Sequence, residues 1–173
     1  NGDHFATVTL DVDDNLPALN VNVAGLGTGT VSSDPAGIDC GATCTAEFGL
    51  SAPVTLTATP ATGSTFTGWT GACSGLDACV VVMDAARSVT ATFGLTQHAL
   101  DLRFGDSGAG EVTITPPGSV CTTDCSETFD YGTALVLTAV STNAASSFTG
   151  WSGACSGTGT CNVTMTAAQQ VTA

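Results

Sequence analysis

Lysine is absent from this chain, and Arg87 and Arg103 are its only strong cations. Against 15 Asp and Glu they leave a formal net charge of -13 at pH 7. A surface so short of positive charge repels phosphate backbones and anionic lipid, so nucleic-acid and membrane-surface roles are excluded. Histidine occurs only as His4 and His98, both in segments that read as linkers. Hydrolytic chemistry on serine or cysteine needs a base beside the nucleophile, and no such set is present. The chain reads as non-enzymatic. Aromatic residues are 6% of the total, so the core must be built from Val, Leu, Ala and Thr methyls. No run of 18 or more apolar residues exists, and nothing here spans a membrane as a helix.

What is abundant points the other way. Gly numbers 21, and Ser and Thr are frequent, which is the composition of short strands joined by tight turns. Eight Cys at matched positions imply an oxidising compartment, hence a secreted or cell-surface protein.

The centre of the sequence is Phe66-Thr67-Gly68-Trp69-Thr70-Gly71-Ala72-Cys73-Ser74-Gly75. It returns as Phe148-Thr149-Gly150-Trp151-Ser152-Gly153-Ala154-Cys155-Ser156-Gly157. These are the hearts of two tandem repeats. Gly27, Val31, Pro35, Gly37, Cys40, Cys44 and Phe48 match Gly108, Val112, Pro116, Gly118, Cys121, Cys125 and Phe129 at one constant offset. A single insertion before Phe148 then restores the match, with Trp69, Cys73, Cys79, Met83 and Val89 answering to Trp151, Cys155, Cys161, Met165 and Val171.

The expected organisation is an N-terminal strand and acidic linker over residues 1–17, repeat one over 18–95 and repeat two over 96–173. In repeat one, alternation predicts strands at Leu19–Ala24, Gly29–Ser33, Thr45–Phe48, Val54–Thr59, Cys79–Met83 and Ser88–Phe93. The expected class is all-β, as two small antiparallel modules stapled by disulfides. Val8, Leu10 and Val12 also alternate, and Val12 precedes Leu19 by the same seven residues that separate Phe93 from Leu100. The opening segment thus reads as the closing strand of a preceding repeat, or as a strand donated to another copy. The second repeat stops at Val171-Thr172-Ala173, short of the Thr-Phe that closes the first. The sequence reads as an excerpt or processed part of something longer.

The order GTGTV, DPAGIDCGATC, VTLTATPATGSTFTGWTGACSG, CVVVMDAARSVTATF resembles the divergent internalin B-type repeat of bacterial surface and secreted proteins. It does so twice, over nearly all of residues 18–173. The resemblance implies small extracellular β-rich modules, β-grasp-like, without catalytic residues.

Each repeat carries a C-x3-C (Cys40/Cys44; Cys121/Cys125) and a C-x5-C (Cys73/Cys79; Cys155/Cys161). Local pairing closes loops contributing roughly 2 kcal/mol each, whereas a crossed Cys40–Cys79 bridge would contribute about 4 kcal/mol. Entropy alone does not choose. Gly41 and the Ser74-Gly75 turn favour the local bridges, because they let close neighbours meet. Zinc is the rival, but its usual C-x2–4-C spacing does not cover C-x5-C.

Asp11, Asp13, Asp14 and Asn15 before Pro17 resemble the calcium-binding linker of cadherin repeats and could supply hard oxygens. The preferred reading is an acidic turn ending a strand, with no cofactor. Trp69 and Trp151, with Phe66 and Phe148, are expected to plug the repeat cores, each indole N–H bonded to backbone. Their alternative is a sugar-stacking platform. Asn162-Val163-Thr164 matches the glycosylation pattern.

Two functions from different classes follow. The first is a structural repeat outside a bacterial cell (stalk, spacer or filament subunit) whose partner is itself, in tandem or head to tail. The second is an adhesive or glycan-binding accessory module.

Overall fold

A computed structural model describes residues 16–105 and 109–173. The opening-segment residues Val8, Leu10 and Val12, and the linker residues Asp11, Asp13, Asp14 and Asn15, lie outside the described residues.

The fold is all-β, without a helix among the described residues. The first repeat supplies β1 (Ala18–Ala24), β2 (Gly29–Asp34), β3 (Asp39–Cys40), β4 (Thr45–Glu47), β5 (Pro53–Pro60), β6 (Ser64–Gly71), β7 (Cys79–Val82) and β8 (Arg87–Leu95). The second supplies β9 (Gln97–Arg103), β10 (Gly110–Thr115), β11 (Ser119–Cys121), β12 (Cys125–Asp130), β13 (Ala134–Ser141), β14 (Ser152–Gly153), β15 (Cys161–Thr164) and β16 (Gln169–Thr172). Each repeat makes two four-stranded sheets of the same connectivity. The orders are β4-β1-β8-β6 and β3-β2-β5-β7, then β12-β9-β16-β14 and β11-β10-β13-β15. Where a β-grasp module lays a helix on its sheet, each repeat lays a second sheet.

Period-two patterning explains which face is inside. In β13, Leu135 and Leu137 are buried while Val136 and Thr138 face out. Leu100 and Leu102 of β9 and Val171 of β16 meet Val112, Ile114, Leu135, Leu137 and Val163 of the other sheet in one core. In the first repeat Leu19, Val31, Val54, Leu56, Met83, Val89 and Ala91 are likewise fully buried.

Two details depart from the sequence reading. Pairing is not wholly antiparallel, because β16 runs parallel to β9, Val171 opposite Leu102. Between them the chain passes to the other sheet and back three times, and the last strand runs in the direction of the first. Two strands per repeat were also not anticipated in the first copy: the short β3, and β6, whose glycines hid an eight-residue strand.

By contact the chain divides into two units. One holds residues 16–22, 30–58 and 68–91. The other gathers 92–105 and 109–173 with Val23–Gly29 and Thr59–Thr67. This division does not follow the boundary between the sequence repeats.

The turn into β5 carries a correctable strain. Ser51 sits at φ 62° and donates its N–H to Met83 O, a place taken in the second repeat by Gly132 at φ 83° with the matching bond to Met165 O. A non-glycine residue there costs about 1–2 kcal/mol, part of which glycine's larger unfolded-state entropy takes back. Ser51→Gly is therefore expected to stabilise by about 0.5 kcal/mol, read as a small rise in calorimetric melting temperature.

Candidate functional site: the clamped tryptophan loops

Each Gly-Trp segment leads into a loop that returns on itself. Trp69 N–H donates to Gly75 O, and Trp151 N–H donates to Gly157 O, both at 2.8 Å. Gly71 and Gly153 adopt φ of 103° and 94°, and a Cβ on them would stand 2.5 and 2.4 Å from the carbonyl oxygens of Ser88 and Gln170. No other residue fits there.

The indoles point inward. Trp69 and Trp151 are 3% and 5% exposed, so neither presents a ring face to a sugar. Trp69 Nε1 donates to Asp77 O at 2.9 Å and Trp151 Nε1 to Gly159 O at 2.7 Å. Both acceptors lie inside the C-x5-C loop. Phe66 meets Phe93 edge to face at 5.5 Å, and Phe148 meets Trp151 likewise at 4.9 Å.

The cysteines are joined as Cys40–Cys44, Cys73–Cys79, Cys121–Cys125 and Cys155–Cys161, and none is free. A disulfide offers neither thiolate ligand nor nucleophile. Among the described residues no group of three or more His, Cys, Asp or Glu could hold a metal.

The titratable groups do structural work. Both arginines are paired, Arg87 with Asp84 and Arg103 with Asp124. The Arg87 hydrogen bond holds the Asp84 carboxyl below its ordinary value. For Asp124 the main cause is the Phe104 N–H, at 2.8 Å, followed by Arg103. A depressed folded pKa adds stability above the unfolded value and loses it as pH falls through the folded one. Asp124→Asn is therefore expected to flatten the acid limb of the melting curve below about pH 4. Both groups are exposed, so the change is small, and calorimetry across pH 2–5 reads it.

Tyr131, a second place to look for a sugar platform, is half-buried against the Ala61–Ser64 turn. A Cβ on Gly63 would stand 2.1 Å from Tyr131 Cδ1, so the ring occupies the space glycine leaves. Tyr131 N–H donates to Thr96 O, and Thr96 N–H donates to Gly63 O. His98 lies beside the ring, 6.1 Å between centroids. What these sites hold together is backbone.

The sequence pattern of the divergent InlB B-repeat domain matches residues 19–97 and 110–173. The chain belongs to this family. No curated protein matches it. Among solved structures, the Bacillus anthracis TIE protein is similar in fold, with a TM-score of 0.55 at 11% identity. The likeness covers 91% of this chain and 33% of that one, so the chain spans about a third of its length. In the InlB B-repeats described here, the residues that recur between copies are those that close loops and fill cores.

Sequence reasoning located the Trp and Cys residues. It also expected each indole N–H to bond to backbone, as both do, but not which carbonyl accepts, Asp77 O or Gly159 O, since a backbone acceptor leaves no mark in side-chain identity.

Proposed function

We propose that the chain is a non-enzymatic spacer, one stretch of a stalk or filament outside a bacterial cell, associating with further repeats in tandem or head to tail. The observation that carries this is the connection between the repeats. β8 ends at Leu95 and β9 begins at Gln97, and Thr96 between them is hydrogen-bonded on both sides. A connection of one residue with both backbone groups bonded has little freedom to lose. Membership of a family of bacterial repeats and four disulfides support an extracellular setting.

Small-angle scattering on chains of one, two and four repeats tests the reading. A maximum dimension that grows by a constant increment per repeat is the expected result. A dimension that levels off would overturn it. So would a glycan-array signal abolished by Tyr131→Ala without loss of fold, which would favour the adhesive alternative.

A further inference from the structure

We propose that the second repeat binds the ammonium group of a lysine side chain, presented by a partner polypeptide, in a cavity whose counterpart in the first repeat is filled.

The two copies differ at one corner. In the first, Ile38 and Phe48 are 3% and 6% exposed. Gly37 lies on the Phe48 ring: a Cβ there would stand 2.9 Å from Phe48 Cζ and 3.2 Å from Ala46 Cβ. The second repeat has Ser119 for Ile38, Glu127 for Ala46 and Phe129 for Phe48. Gly118 replaces Gly37, and a Cβ on it would meet nothing within 4 Å beyond its chain neighbours. The turn has left the ring. Phe129 is half-buried, packs on the core and borders a cavity of about 350 Å³. Gln97, Pro116, Pro117, Glu127 and Asp130 also border it.

An apolar pair has thus given way to a hydroxyl and a carboxylate. Cys125, Glu127 and Phe129 share the inward face of β12, where an uncompensated carboxylate is costly. Ser119 Oγ donates to Glu127 Oε2 at 3.1 Å, which satisfies one oxygen. Opposite β12, Gln97 Nε2 donates to Asp130 Oδ1 at 3.1 Å. Thr133 Oγ1 donates to the Asp130 carbonyl at 2.7 Å. Among the described residues no hydrogen bond reaches Glu127 Oε1 or Asp130 Oδ2.

The polar atoms left to a ligand are therefore mostly acceptors, on side chains already held in place. A donor-only group fits such a set, whereas a sugar hydroxyl must also accept. An ammonium is a point charge with three donors and can take one oxygen from each carboxylate. A guanidinium pairs best with both oxygens of one carboxylate, and here one of each is engaged. Phe129 and the proline rings suit the aliphatic stem, and the Phe129 ring attracts the cation. Charge agrees. The chain carries a formal -13 and no lysine, so it attracts a cationic partner and a second copy has no such side chain to offer.

The test titrates the chain of residues 1–173 with the peptide Gly-Gly-Lys-Gly-Gly, blocked at both ends, and follows backbone amide shifts by NMR. Saturable binding is expected, with the largest shifts at Glu127, Phe129 and Asp130. Acetylating the lysine should weaken it roughly tenfold or more, as loss of a charge-assisted hydrogen bond does. An arginine peptide should also bind more weakly. Glu127→Gln should weaken binding roughly tenfold, and Glu111→Gln should leave it unchanged, which separates a local site from attraction to the acidic surface as a whole. Ser119→Ile with Glu127→Ala rebuilds the filling of the first repeat, and is expected to abolish binding without lowering the melting temperature. No saturable shift, equal weakening by the two glutamate variants, or binding that survives the double variant would overturn the proposal. So would equal or tighter binding of the acetylated peptide, the arginine peptide or glucosamine.

Discussion

Trp151→Ala is expected to destabilise the second repeat by about 3–5 kcal/mol, the range for deleting a buried large aromatic. Trp151 is 5% exposed, packs edge to face on Phe148, and lies in the core with Leu100, Leu135 and Met165. Its N–H also satisfies Gly159 O. Trp151→Phe separates the two contributions. It keeps most of the apolar burial and removes the hydrogen bond, for an expected loss of about 1–2 kcal/mol. Trp69→Ala should behave alike in the first repeat, where the acceptor is Asp77 O. Urea unfolding followed by circular dichroism measures all three. A Trp151→Ala protein with unchanged stability would show that the indole serves something other than the core.

Reduction should have an effect of similar size. Cys40–Cys44 and Cys121–Cys125 close loops worth roughly 2 kcal/mol each, and Cys73–Cys79 and Cys155–Cys161 slightly more, in the chain-entropy account. Each repeat therefore owes its staples about 4 kcal/mol. Small domains hold only about 5–15 kcal/mol in total. Reduced and alkylated protein is expected to unfold at a far lower urea concentration than oxidised protein, and an unchanged midpoint would contradict the estimate. The two staples of a repeat should not act alike. The Cys155–Cys161 loop also positions the Gly159 carbonyl under Trp151, so replacing this pair by serine should couple with Trp151→Phe in a double-mutant cycle. Replacing Cys121 and Cys125 should be additive with Trp151→Phe. Peptide mapping without reduction checks the pairing itself, since a fragment joining the Cys40 and Cys73 regions would contradict it.

The sequence by itself determined the class, the repeat and the inward faces. Alternation such as Val54-Thr55-Leu56 leaves only one face of a strand able to bury its side chains, so Val54 and Leu56 had to be core. Cysteines four and six residues apart, beside glycines, could meet their neighbours without help from the rest of the fold. The tryptophans were legible because so large a ring, in a chain with few aromatics, is the main volume available to fill a core.

Only the tertiary structure decided the rest. The Ser64–Gly71 segment carries Gly68 at φ 140° and reads locally as loop; it becomes a strand because β8 runs beside it. The counterpart in the second repeat, β14, is a strand for just two residues, Ser152 and Gly153, paired with Thr172 and Val171 of β16. The parallel pairing of β16 with β9 was equally hidden, since alternation gives a strand's faces but not its direction or its neighbour. Nor could periodicity show where Phe93 lies. Its ring rests on Gly29, a residue without a side chain, distant in sequence and brought close only by the sheet.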